Sequence, residues 1–152
     1  MTNDARFEDG AEKPLRLKAL DADDLQVISA LVQDAVFPGN EMRLQRSARR
    51  FAILLNRFRW ERGARTAERV QSVLAIEDVL GVQTQGVVRD ADTVLSLLSV
   101  AFEAGEDGAG RVVLTLAGDG AIAASVEALE VTLQDVTRPY TAPSGKAPRH
   151  SE

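Results

Sequence analysis

The sequence predicts an α+β fold: one N-terminal amphipathic helix packed on a curved, mainly antiparallel β-sheet, or partial barrel, of about eight strands. Three observations predict it. A helical apolar period occurs once, between residues 22 and 36. Beyond it the apolar residues alternate with period two, interrupted by short glycine-rich or acidic turns. Near the C-terminal end that alternation changes phase, which a sheet accommodates only by bending.

The elements follow in order. Leu15, Leu17 and Ala19 alternate with Arg16 and Lys18, a short strand closed by Leu20-Asp21. Asp21 is a good N-cap, and Asp23 and Asp24 set negative charge against the helix dipole. Leu25, Ile28, Leu31, Val32, Ala35 and Val36 then form one apolar face, which predicts a helix from Ala22 to about Val36, stopped by Pro38-Gly39. Met42 to Gln45 and Arg50 to Trp60 read as a hairpin around Arg46-Ser47-Ala48-Arg49, and Gly63 to Ala67 as a loop. Strands are predicted at Arg69 to Ile76, Val79 to Gln85, Val94 to Glu103 and Arg111 to Ala117, with a flexible tip at Gly105 to Gly110. After the turn Gly118-Asp119-Gly120 comes the phase change. Ile122, Ala124 and Val126 share one parity and Leu129, Val131 and Leu133 the other, so a bulge or bend is expected near Glu127-Ala128. Ile76-Glu77-Asp78-Val79 and Val126-Glu127-Ala128-Leu129 share the form apolar-Glu-x-apolar at corresponding bends.

With 152 residues the chain has the size of a single domain, expected over residues 14–140. Residues 1–13 are polar without period, and 141–152 are rich in proline and small residues, so both read as disordered tails. No apolar run approaches the ~18 residues that cross a bilayer, and no basic-then-apolar leader opens the chain. A cytoplasmic protein without membrane contact is expected. The absence of cysteine excludes disulfides, thiolate nucleophiles, iron–sulfur clusters and cysteine zinc sites, and the one histidine is His150. No phosphate-binding loop, dinucleotide glycine pattern or Gly-x-Ser-x-Gly is present. Neither cofactor nor metal is expected.

The segment Arg49-Arg50-Phe51-Ala52-Ile53-Leu54-Leu55-Asn56-Arg57-Phe58-Arg59-Trp60-Glu61 resembles the signature of a small uncharacterised protein family of alphaproteobacteria. The stretch from Leu15 to Asp21 with its following helix, and Arg69 to Leu74, are similar to the same family. The resemblance implies a bacterial cytosolic protein of unknown function and carries over no activity or catalytic residue.

Charge supplies the candidate surface. Nine arginines and two acids lie between Arg43 and Arg69, which gives this segment +7 and leaves −12 for the rest of a chain whose net charge is −5. Arg43, Arg46, Arg49, Arg50, Arg57, Arg59 and Arg62 are therefore the candidate binding surface. Beside Phe58 and Trp60 they could hold phosphates and stack on bases. The competing reading puts Phe58 and Trp60 in the core, with the arginines paired to acids on adjacent strands. An acidic chain with three lysines lacks the broad cationic field of a nucleic-acid binder, which favours that second reading. Asp90 with Asp92, and Glu106 with Asp107, fall short of the ligand count of a calcium loop. Glu77 and Glu127 could act as acid and base if the two bends converge, and Asn56 could be a buried polar group facing a ligand. The function expected is a non-enzymatic binding domain for a protein partner or a second copy of itself. Anionic-ligand or RNA binding through residues 43–69 is the alternative, and a carboxylate-based enzyme the third.

Overall fold

The structure is a computed structural model that describes residues 14–63 and 68–141; the predicted tail at 1–13, all but Thr141 of the predicted tail at 141–152, and Ala64 to Ala67 of the predicted loop lie outside the described residues. Asp21 caps the helix as its sequence requires, its carboxylate accepting from the Asp24 N–H at 2.8 Å. Helix α1 (Ala22–Leu31) buries Leu25 and Ile28 but ends five residues earlier than its apolar spacing predicts. Val32 still donates to the Ile28 carbonyl, then Asp34 takes φ 66° and turns the chain out of the helix. Val32 and Ala35 are nonetheless fully buried, so a turn supplies the core contacts that imitate two more helical positions. Val36-Phe37-Pro38, β-branched, aromatic and lacking a donor, forms a short strand instead.

The eleven strands are β1 (Arg16–Ala19), β2 (Val36–Pro38), β3 (Met42–Gln45), β4 (Arg50–Phe58), β5 (Glu68–Ile76), β6 (Val79–Gln85), β7 (Val94–Ala104), β8 (Gly110–Leu116), β9 (Ala121–Val126), β10 (Val131–Asp135) and β11 (Tyr140–Thr141). They form one unclosed antiparallel sheet in the order β1-β10-β5-β4-β2-β7-β8-β9-β6, with β3 also on β4 and β11 also on β5. The excess over eight has three sources: β2 hidden in the expected helix, β9 and β10 separated at the bend, and β11 inside the expected tail, where Thr141 pairs with Glu68. Trp60 leaves the predicted strand and opens a 3-10 turn (Trp60–Arg62), its indole N–H bonded to the Gln33 carbonyl at 2.9 Å. It packs half-buried on Phe58, 5.6 Å between ring centroids, rather than inside the core.

The predicted phase change is the corner of the sheet. β5 runs into β6 and β9 into β10 with two to four residues between, and the two chains pair on both sides of the gap, Ile76 with Val131 and Val79 with Val126. Across the gap the Glu77 N–H donates to the Glu130 carbonyl and the Glu127 N–H to the Asp78 carbonyl, both at 3.0 Å. One two-stranded ribbon therefore bends with a shift of register, two extra residues lying on the β9–β10 side, and Val126, Leu129 and Val131 all reach the core despite their opposed parities.

The curled sheet leaves two seams. Beyond its pairing with β2, β7 offers a bare edge that α1 covers: the Val100 N–H donates to Ser29 Oγ at 2.9 Å, and the helix packs on β1 as well. At the other end β6 pairs only with β9, and apart from the Val79 N–H, which bonds the Arg49 carbonyl at 2.8 Å, its outer edge meets no strand among the described residues. Among the described residues no helix is long and apolar enough to cross a membrane.

Candidate functional site

The arginine segment divides into three groups. On β4 the inward face is Phe51, Ile53, Leu55 and Arg57, so strand alternation places a guanidinium where an apolar side chain would continue the core. Arg57 is 0% exposed and fully used. Its Nε donates to Ser72 Oγ at 3.0 Å, Nη1 to the Phe58 carbonyl and Glu61 Oε1, and Nη2 to Glu61 Oε2 at 2.8 Å and Asp135 Oδ1 at 2.9 Å. Ser72 donates to Asp135 at 2.6 Å, and the other carboxylate oxygen accepts from the Leu15 N–H at 3.0 Å. The network thus ties β1, β10, β5, β4 and the 3-10 turn together. Burial works against both charged forms, but the mutual hydrogen bonds prevail: Glu61 titrates below the usual carboxylate range and Arg57 is raised further above neutrality.

A second group clamps the corner. Arg50 Nε sits 2.8 Å from Glu77, and Arg49, held at φ 53° in the β3–β4 turn, bonds Glu127. The two bends do converge, yet each glutamate is engaged by an arginine, an arrangement for holding a corner rather than for moving protons. Arg59, 7% exposed, bonds Glu68 at 2.9 Å, and Arg69 lies 4.2 Å over the Phe58 ring. Arg57 and Arg59 accordingly belong to no open surface, and their acids come from the 3-10 turn and from β10 as well as from the neighbouring strand.

Arg43, Arg46 and Arg62 remain exposed with no ion pair among the described residues. Of these, Arg46 lines a cleft of about 320 Å³ in the open seam between β3 and β6. Met42, Leu44, Phe51 and Val82 give it an apolar lining, while Arg46, Arg89, Thr84 and Asn40 supply polar groups and no carboxylate lines it. Arg89 reaches Thr84 Oγ1 at 3.4 Å. Sequence reasoning missed Arg89 and Thr84, because nothing local marks them until the sheet curls and brings residues 84–89 against β3. Gly39 closes one end of the seam, where an added Cβ would lie 2.0 Å from the Val88 carbonyl oxygen.

A second cleft of about 410 Å³ lies between β2 and β4, lined by Asn40, Glu41, Asn56 and Gln71 over Leu54 and Val94. Asn56 Oδ1 is buried there without a hydrogen-bond partner. Among the described residues no three His, Cys, Asp or Glu side chains cluster as a metal would require. Asp90 accepts from the N–H groups of Asp92 and Thr93, a loop-ordering turn that holds its carboxyl below the usual range.

A family described as Protein of unknown function (DUF2948) matches residues 15–150. No curated protein and no solved structure matches the chain.

Proposed function

The chain belongs to the DUF2948 family, proteins of unknown function, and we propose that it is a binding domain that accepts an extended strand from another protein chain along the outer edge of β6. One observation carries this reading. β6 ends the sheet, runs for seven residues, and among the described residues has an outer edge free beyond Val79; its one irregularity is the register shift between Val79 and Gly81, and past that point it carries neither the charges nor the proline that keep such edges solitary. From Val79 to Val88 there is neither a charge nor a proline, in a chain that is 27% charged, and Leu80 stands 62% exposed. The opposite terminal strand shows the contrast: β1 has four residues, Arg16 and Lys18 point outward from it, and α1 packs beside it. The guarded edge is the one that must stay alone, and the unguarded edge is the one that pairs.

The alternative, RNA or another polyanion along residues 43–69, has less behind it. The guanidiniums that would form a continuous ribbon are turned inward or locked to Glu61, Asp135, Glu68, Glu77 and Glu127.

The experiment is affinity capture with the native chain, followed by amide exchange on the reconstituted complex. Backbone N–H directions alternate along a strand, so of Gln83→Pro and Thr84→Pro one removes an outward donor while keeping the β9 ladder. The expected result is a partner that protects Val79 to Gln85 and is lost in the variant that keeps the fold. Protection elsewhere, with β6 exchanging at its free rate, would refute the proposal.

A further inference from the structure

We infer that the strand received by this seam is acidic, alternating apolar side chains toward the cleft with carboxylates toward Arg46 and Arg89. The inference rests on the reading of β6 as a docking edge and adds the chemistry of what docks. Cross-strand register fixes which side chains meet the incoming strand. Met42 and Leu44 oppose Ile53 and Phe51, which face the core, and Val82 and Thr84 oppose Ala124 and Ile122, which do too. The seam is thus a slot into the hydrophobic interior, and Met42, Leu44 and Val82 are only partly buried because the layer above them is incomplete. A strand laid along β6 turns every second side chain into that slot, so those positions must be apolar.

Charge decides the rest. One arginine reaches the rim of the slot from the β3–β4 turn and another from the loop after β6, both exposed to the solvent side that the alternate side chains of an incoming strand face, and among the described residues no carboxylate lines the slot. Arg49 of the β3–β4 turn, Arg50 and Arg57 of β4 and Arg59 just beyond it each have an acid of this chain beside them, and the exposed Arg43 and Arg62, which have no ion pair among the described residues, do not line the slot. Among the described residues neither Arg46 nor Arg89 has an ion pair, and Arg89 donates instead to the Thr84 hydroxyl at 3.4 Å. Bidentate carboxylate pairing on this exposed rim is the complementary chemistry.

The test uses two synthetic peptides of about seven residues, one alternating valine with glutamate and the other valine with glutamine, titrated into the full chain while backbone amide signals are followed. The expected result is perturbation of β6 and β3, with the glutamate peptide binding about tenfold or more tightly and losing that advantage in Arg46→Glu with Arg89→Glu. These side chains are exposed, so the double variant keeps its melting temperature. Equal binding of the two peptides, both abolished by the edge-blocking proline, overturns the acidic preference while leaving the docking edge intact. A glutamate preference that survives the double reversal also overturns it. Failure of both peptides to perturb β6 overturns the docking edge and the inference together.

Discussion

Arg57 is the residue on which the interior is most dependent. Its guanidinium is enclosed and bonded to two carboxylates, a serine and a carbonyl, so Arg57→Ala leaves Asp135 buried with no counter-charge. Breaking such a pair from one side costs about 3–5 kcal/mol, which urea denaturation of the variant should show. Glu61, on the same network, gives a pH signature. Burial alone would raise its pKa, but the Arg57 hydrogen bonds lower it below that of the unfolded chain. Its contribution is therefore complete above the unfolded carboxylate value of about 4.3 and disappears as pH falls through the folded value. On acidification the native protein should lose more stability than Glu61→Gln, and equal slopes would show Glu61 uncoupled from folding. Trp60, read from the sequence as a core residue, packs half-buried on Phe58, so Trp60→Ala should cost less than the roughly 3–5 kcal/mol of an enclosed aromatic. Sequence could show that residues 43–69 hold unpaired positive charge, but not which acids answer it. Asp135 lies 78 positions from Arg57, and only the strand order brings them together.

At the level of elements, local chemistry was readable wherever one residue sufficed. The Asp21 cap is one such case, and Asp21→Ala should lower stability by about 1 kcal/mol, visible as an earlier denaturation midpoint with an unchanged slope. Turns with an obvious conformational need were equally legible: Gly118 and Asp119 both take positive φ. The corner was legible too, because a parity change of apolar residues has few structural solutions. What sequence could not separate was the true helix from its continuation through Val32 and Ala35. Both turn and helix place those side chains in the core, and the decisive pairing, Val36 with Ser96 and with Asn56, is long-range. The candidate cleft was half visible for the same reason: Arg46 stood out within a charged run, while Arg89 acquires meaning only beside β3. The Arg49–Glu127 clamp on the corner is solvent-exposed, so Glu127→Gln should cost no more than roughly 0.2–1 kcal/mol and less still in high salt, whereas Glu77 is only 19% exposed and Glu77→Gln should cost more.

Taken whole, the molecule is held by apolar burial and the buried Arg57 network, with ion pairs nearer the surface, no cysteine in the chain and no metal-type cluster among the described residues. Thermal melts with and without a chelator should superimpose, and a large fall in melting temperature on chelation would reveal an ion essential to the fold. The bent ribbon carries a further consequence, for the order in which the protein assembles. β5 and β6 leave the ribosome well before their ribbon partners, since β9 begins only at Ala121 and β10 at Val131. β1 waits longest, for the one strand it pairs with among the described residues is β10. Pairings this distant in sequence fold slowly, in milliseconds to seconds by the usual dependence on contact order. Throughout that interval the uncharged run from Val79 to Val88 is bare along both of its edges rather than one. Refolding yield should consequently fall as protein concentration rises, and a chain cut before Ala121 should precipitate, because the strand that is paired along one edge in the finished protein has, in the nascent one, no pairing at all.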